Sequence, residues 1–382
     1  MQYRLAKRQS HTAEAYSVPP IPSDMMQYTF AEFMPCFCLK KMGMENSPPS
    51  SLSPSILVLG GKSSQENEFA RSLKDNFKNL TLPIEDSGVS VFLYDSDAEK
   101  KTNEVEEETF KIETYMNSLS ANRFGRFLIW SPRLSSTQDL IAKNFCELPI
   151  GAVCVADIQF KGRGRSRNVW ESPAGCLLFS FTLKMDDGRI LPLLQYVVSL
   201  AVVEALKDVC DAKGFPYLDL KIKWPNDLYL NGLKVGGVLC TSTYSSKKFN
   251  VSAGIGLNVN NEKPTTCLNA ELRKLTSDAC QLERENVLAA FFKRFESFFD
   301  TFSNQGFQAL EELYYKAWLH SGQRVLIQEE KEGQLLEHAV TIQGLTPPGY
   351  LLAIGDDHQF YELHPDGNSL DFFKGLVRRK VQ

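Results

Sequence analysis

Lys221-Ile-Lys223-Trp-Pro-Asn-Asp227-Leu-Tyr-Leu-Asn231-Gly232-Leu-Lys-Val-Gly-Gly-Val238 orders the rest of the chain around it. Asn231-Gly232 between two apolar runs, 227–230 and 233–243, is the strongest two-residue hairpin signal present. Both central residues of that tight turn need a positive φ, which Asn and Gly tolerate. This commits the region to antiparallel sheet. Just upstream, Lys221 and Lys223 fall on one face of a short strand, because successive side chains alternate. Trp224 precedes Pro225, which keeps it extended. Asn226 and Asp227 are ordinary turn formers, yet a lysine closing a strand beside them can also serve a site. The two roles are compatible.

Working outward, a strand over 249–259 carries Gly254-Ile-Gly256-Leu-Asn258. Glycine inside a strand marks close approach by a ligand or another backbone. On the other side, 127–130 reads as a strand, and Ser135-Ser136-Thr137-Gln138 as the N-cap of a helix to about residue 145. Residues 151–158 and 176–183 are further strands, the second apolar on both faces, and 191–213 is a long helix. The helix at 283–303 places Val287, Leu288, Phe291, Phe292, Phe295, Phe298, Phe299 and Phe302 at three- and four-residue steps, a core stripe. A helical pattern continues over 305–319. After Gly322 the chain changes to short strands at 324–327, 338–342, 350–354 and 359–363, the pattern of a small β-barrel.

Nearer the start, 55–62, 66–77 and 89–94 read as strand, helix and strand. Gly60-Gly61-Lys62-Ser63 lacks the G-x-x-x-x-G-K-[ST] spacing of a phosphate loop. Residues 1–54 show no sustained period, and the acidic run 95–108 reads as a solvated linker. The expected organisation is a flexible or targeting segment (1–54), a small α/β accessory region with the linker (55–115), a catalytic domain (116–320) and a β-rich C-terminal domain (321–382). The fold class is α+β, a mixed, largely antiparallel sheet with helices plus the small barrel.

A net charge of -4 over 382 residues gives no global pull toward nucleic acid or anionic membrane. The most apolar stretch, 190–206, is broken by Pro192, Gln195, Ser199 and Glu204 and reads as a core helix. Nine scattered cysteines without a C-x-x-C pair point to a reduced compartment rather than zinc or disulfides. Arg4, Lys7 and Arg8 among Ser and Thr suit an organelle transit peptide, whereas Glu14, Asp24 and Glu32 do not.

The densest chemistry lies in Gln159-Phe-Lys-Gly-Arg-Gly-Arg-Ser-Arg-Asn-Val-Trp170. Lys161, Arg163, Arg165 and Arg167 alternate with small or polar residues, and Gly162 and Gly164 expose backbone N–H groups. A polyphosphate needs such a set. A solvated basic loop or an arginine patch for nucleic acid would look the same locally, although the second needs a broad basic face.

In this order, Ser135-Ser-Thr-Gln138, Gly162-Arg-Gly-Arg165 with Trp170, Lys223-Trp-Pro-Asn-Asp227, Lys234-Val-Gly-Gly-Val238 and Gly254-Ile-Gly-Leu-Asn258 resemble the biotin–protein ligase (holocarboxylase synthetase) family over roughly 120–382. The resemblance implies a class II synthetase-like catalytic domain with an SH3-like C-terminal barrel. It implies activation of biotin by ATP and Mg2+ as biotinyl-5′-AMP, then transfer to a lysine of a carboxylase's biotin carboxyl carrier domain. It also implies that Lys223 and Arg165 are catalytic. Ser136, Thr137, Gln159, Arg163 and Lys223 would bind biotin, and Arg163, Arg165, Trp170 and Asn258 the nucleotide. A cytoplasmic location follows, with plastid or mitochondrion through the N-terminal extension. Two departures stand out: Ser166 or Arg167 replaces a glycine found in many members, and the N-terminal part lacks a winged helix-turn-helix, so DNA repression is not carried over. The rival readings are a lipoate or octanoate ligase of the same superfamily, whose arginine-arginine and triple-glycine signature is missing, and a nucleic-acid module using Arg163 to Arg167.

Overall fold

Asn231 and Gly232 adopt φ of 50° and 79° and join β7 (Asp227–Leu230) to β8 (Leu233–Ser245). The computed structural model describes residues 56–82, 88–94, 109–165, 168–261, 263–276, 280–331, 334–365, 368–371 and 375–379. The expected targeting segment 1–54 and acidic linker 95–108 lie outside the described residues, as do Ser166 and Arg167.

The β7–β8 hairpin belongs to a nine-stranded sheet of order β2-β1-β3-β4-β5-β9-β8-β7-β6. Its other strands are β1 (Ile56–Gly61), β2 (Ser90–Leu93), β3 (Phe127–Leu134), β4 (Val153–Gln159), β5 (Cys176–Met185), β6 (Lys221–Lys223) and β9 (Lys248–Asn258). The β1–β2 and β3–β4 pairs are parallel and the remaining neighbours antiparallel, so the sheet is mixed and the fold α+β. The strand–helix–strand region after residue 55 is not a separate layer. β1 pairs antiparallel with β3, Val58 opposite Trp130 and Gly61 opposite Phe127, and extends the sheet.

Side-chain alternation divides the core. Val153 and Val155 face one cluster while Cys154 and Ala156 face the other, as a period of two requires. On the first face lie α2 (Ile112–Ser118), α4 (Leu194–Lys213), α6 (Arg284–Gln305) and α7 (Gln308–Ala317). The helix expected from residue 191 begins as a 3-10 turn, Leu191–Leu193, where Pro192 sits. In α6 the phenylalanine stripe packs on β5: Phe181 meets Phe295 at 4.9 Å and Phe179 meets Phe291 at 5.1 Å between ring centroids. Each such ring contributes about 1.5–3 kcal/mol by burial. On the second face, α1 (Ser64–Asp75) and α3 (Thr137–Lys143) supply Ala70, Leu73, Leu140 and Ile141 to a smaller cluster over β1, β3 and β4. No residue of β5, β8 or β9 belongs to that cluster. α5 (Leu268–Leu275) follows β9.

The C-terminal part forms a second, six-stranded sheet of order β13-β12-β11-β10-β15-β14, from β10 (Arg324–Lys331) to β15 (Leu376–Arg379). Between them run β11 (Gln334–Leu345), β12 (Leu351–Gly355), β13 (Phe360–Leu363) and β14 (Asn368–Asp371). The junction leading to it runs beside β6: Leu319 N–H donates to the Ile222 carbonyl at 3.0 Å, and Trp318 bridges Ile222.

One buried ion pair ties the N-terminal region to both core layers. Asp157 on β4 lies 2.9 Å from Arg284 at the start of α6, accepts from the Phe110 backbone and from the Trp130 indole, and is 6% exposed. Burial pushes its carboxyl up to about 6 against the pull of Arg284 and these donors. Removing one partner of such a pair costs about 3–5 kcal/mol. Arg284→Met should therefore lower stability by that order at pH 8 in urea unfolding. At pH 5 the loss should shrink, because Asp157 can then escape as the neutral acid. Equal losses at both pH values would count against this account.

Candidate active site

The second sheet face is uncovered where α1 and α3 stop, and a cleft of about 670 Å³ opens over β5, β9 and β8. Its floor requires glycine. A Cβ on Gly256 would lie 2.5 Å from the Trp170 indole nitrogen, and one on Gly254 would lie 2.5 Å from Gln138 Oε1. The close approach signalled by Gly254-Ile-Gly256 is thus made by two side chains packed onto the strand, and both line the cleft.

One wall is the segment after β4. Trp170 N–H donates to the Gly162 carbonyl at 2.9 Å, and Gly164 N–H to that of Asn168 at 2.8 Å, with Arg163 bridging Val169. The loop therefore folds back on itself beside the cleft. Arg163 Nε sits 2.9 Å from Asp139 Oδ1 on α3. Arg165 reaches the opposite wall, where Nη1 donates to Asn226 Oδ1 at 3.2 Å. That wall is the turn from β6 to β7, with Lys223, Trp224, Pro225, Asn226 and Asp227. Asp227 collects two lysines: Lys234 Nζ at 2.6 Å and Lys223 Nζ at 3.8 Å. Lys234 also lies over the Trp170 ring, 5.4 Å from its centroid.

At the inner end is a hydroxyl and amide cluster. Gln159 Oε1 accepts from Thr137 N at 2.7 Å and from Thr137 Oγ1 at 3.0 Å, and Gln159 Nε2 donates to Ser172 Oγ at 3.1 Å. Thr137 Oγ1 lies 2.9 Å from Ser180 Oγ. Ser136 caps α3 by accepting from Asp139 N at 3.3 Å. Gln138 Nε2 donates to the Ser252 carbonyl at 3.0 Å and to Thr241 Oγ1 at 2.9 Å, which fixes the amide's orientation. Among the described residues its buried Oε1 has no hydrogen-bond partner.

Of the residues expected from the sequence, Ser136, Thr137, Gln159, Arg163, Arg165, Trp170 and Lys223 all line this cleft. Asn258 does not: it is 2% exposed, and its amide nitrogen donates to Thr265 Oγ1 and to the Thr266 carbonyl. Missing from the expected set are Gln138, Ser180, Asp227, Lys234 and, from the C-terminal sheet region, Pro365 and Leu370. The first, third and fourth lie inside the motifs already quoted; the C-terminal pair carries no local signal. Gly60-Gly61-Lys62-Ser63 is no phosphate cradle. Gly61 N–H donates to Asn67, Lys62 N–H to Arg126 and Ser63 N–H to Glu66, so the amides there are spent.

Behind the Lys223 wall, His320 is wholly buried, and burial, with the Lys223 charge adding, pushes its imidazole down to about 4.

A family model described as the biotin/lipoate A/B protein ligase family matches residues 130–258. Two relatives from Arabidopsis thaliana, biotin–protein ligase 1, chloroplastic, and biotin–protein ligase 2, are 64% and 63% identical over 325 residues. Each alignment covers 85% of this chain, and 88% and 98% of the relative. The structure of biotin protein ligase from Aquifex aeolicus in complex with biotin and ATP is 28% identical, covering 66% of this chain and 99% of that one, with a TM-score of 0.49.

A folded-state pKa below the unfolded value means that His320 contributes stability present above about pH 6.5 and lost as pH falls through 4. Asp157, raised, has the opposite sign: its contribution is present below 3.8 and lost as pH rises through about 6. The wild-type curve mixes both, so the difference between wild type and His320→Gln isolates the first. That difference in unfolding free energy should fall between pH 6.5 and 4; a flat difference would contradict a buried neutral imidazole.

Proposed function

The chain belongs to the biotin–protein ligase family, and we propose on that premise that it activates biotin with ATP and transfers it to a lysine of an acceptor protein. The observation that carries the reading is the charge of the cleft. Arg163, Arg165, Lys223 and Lys234 line it with Asp227 as the one carboxylate among the described lining residues. Such a cleft draws in anions and offsets the repulsion between a carboxylate and a triphosphate brought into line.

In the first step a biotin carboxylate oxygen attacks the α-phosphorus of ATP. The bond from that phosphorus to the bridging oxygen breaks, and pyrophosphate leaves. In the second, the neutral ε-amine of the acceptor lysine attacks the acyl carbon; the bond to AMP breaks, AMP leaves with the electron pair, and the amine's proton passes to solvent. Lys223, which ends β6 and lines the cleft, is the residue we assign to the carboxylate and α-phosphate, where negative charge is crowded in the first step. Arg165, spanning from loop to turn, joins it there, and Arg163 closes the loop over both substrates. Trp170, flat on the glycine floor with a cation above it, suits the adenine, which would exchange with Lys234. The Ser136, Thr137 and Gln159 cluster offers the donors and acceptors that a ureido ring needs. For Asn258 we infer a role in holding residues 265–266 behind β9, since its amide is engaged there. Magnesium, when bound, would add to the neutralisation of the phosphates. Asp227, the one carboxylate among the described lining residues, is already paired with Lys223 and Lys234, and no group of three His, Cys, Asp or Glu among the described residues is placed to hold a metal.

The acceptor we propose is a biotin carboxyl carrier domain of a carboxylase. The relative named chloroplastic supports a plastid location. Among the described residues no helix is long and apolar enough to cross a membrane. The nucleic-acid reading finds little support, because Arg163 and Arg165 are drawn onto Asp139 and Asn226 rather than spread on a basic face.

Purified full-length chain with ATP, Mg2+ and biotin should label a carrier domain on one lysine. Labelling with lipoate in place of biotin would overturn the substrate. Lys223→Ala should slow biotin-dependent pyrophosphate release by at least ~10²-fold, the usual cost of one preorganised charge. A near-normal rate would remove Lys223 from the chemistry.

A further inference from the structure

Lys223 ends β6, at the edge of a turn whose position the cleft residues do not explain. Trp224, the next residue, is 2% exposed and has two N–H groups to satisfy. Its backbone N–H donates to His320 Nε2 at 2.9 Å, and its indole N–H donates to Tyr196 Oη at 2.9 Å. Both acceptors are wholly buried, and neither lines the cleft. Because a backbone N–H can only donate, His320 Nε2 is bare and the ring proton sits on Nδ1, which donates to Gln323 Oε1 at 2.8 Å. Tyr196 gives its own proton to the Gly349 carbonyl at 2.6 Å.

Both chains of hydrogen bonds end in the C-terminal sheet region. The Gln323 carbonyl accepts from Ile342 N–H of β11 at 2.9 Å, and Gly349 lies in the turn between β11 and β12. Two bonds of different direction, one on the backbone and one on the ring edge, fix Trp224 against both sliding and rotation. Apolar packing alone would leave those motions softer, since it is not directional.

We propose that His320 and Tyr196 are positioning residues for Lys223, through which the C-terminal sheet sets where the lysine ammonium stands in the cleft. This rests on the ligase reading of Lys223. A displacement of about 1 Å at a reacting group can cost about 10²-fold in rate, whereas binding contacts spread over the cleft tolerate it better. The loss should therefore appear in kcat rather than in KM.

The test uses full-length His320→Leu, His320→Gln and Tyr196→Phe, with biotin-dependent pyrophosphate release measured at varied ATP and biotin and the folded fraction measured by circular dichroism. His320→Leu and Tyr196→Phe should lower kcat per folded molecule at least ~10-fold while each KM moves less than ~3-fold. His320→Gln, whose amide oxygen can accept from Trp224, should recover most of kcat. Wild-type kcat in the folded Leu and Phe variants would overturn the proposal, and so would a Gln variant as impaired as Leu. Should His320→Leu not fold, Tyr196→Phe alone decides. A wild type that releases no pyrophosphate with biotin would instead remove the ligase reading itself.

Discussion

Mutual repulsion among Arg163, Arg165, Lys223 and Lys234 is the constraint to which the rest of the site answers. Two unit charges about 6 Å apart at an effective dielectric constant of about 20 repel by about 3 kcal/mol, so four in one cleft need partners. Partners come from three places: Asp139 on α3 for Arg163, Asn226 across the cleft for Arg165, and Asp227 shared by both lysines. Among the described residues that line the cleft, Asp227 is the one carboxylate facing these four cations. Full neutralisation would make the apo cleft more comfortable and useless for anions. The observed balance keeps the cations apart while leaving net positive charge for a ligand to quench.

That arrangement depends on how unevenly the nine-stranded sheet is covered. Helices α2, α4, α6 and α7 pack one face, whereas the other carries α1 at the β1 end and the short α3, whose first residues reach Ser180 of β5 and Ser252 of β9. The cleft half of this face is where Ser180, Gly254 and Gly256 lie. Glycine there lets Trp170 and Gln138 settle directly on the main chain. A methyl group at residue 256 would stand 2.5 Å from the indole nitrogen, well inside van der Waals contact, so the indole and the loop that carries Arg163 and Arg165 would have to shift. Floor, aromatic wall and basic loop are therefore one packing problem.

Much of this could be read from the sequence because the decisive signals are local. Asn231-Gly232 gave the hairpin, the phenylalanine stripe gave α6, and the paired glycines of β9 gave the floor. Seven of the expected site residues meet in one cleft because each sits in a motif with its own backbone reason to be there. Long-range features were not legible. That β1 would pair with β3 depends on an edge left open by the catalytic sheet, and nothing in residues 56–61 announces it. Pro365 and Leu370 reach the cleft only because the C-terminal sheet docks beside α4. Asn258 shows the reverse case, where a motif position is legible but its amide is turned to residues 265 and 266.

The two walls of the cleft are held in different ways, and the difference suits what each must do. The loop at 162–170 is fastened across the cleft by an Arg163–Asp139 pair in which the arginine is 60% exposed, and by the Arg165–Asn226 bond. An exposed pair of that kind contributes about 0–1 kcal/mol, so the Arg163–Asp139 contact is by itself a weak fastening. The Lys223 wall hangs on two buried hydrogen bonds from Trp224, and each buried N–H left unpaired would cost about 1–3 kcal/mol. Opening it would sacrifice both together with the packing of a tryptophan. A reaction that needs a cation held still beside a phosphorus is served by hanging the lysine wall on buried, directional bonds. Tryptophan rather than phenylalanine beside the lysine follows from the same need, because only the indole brings a second donor to be pinned.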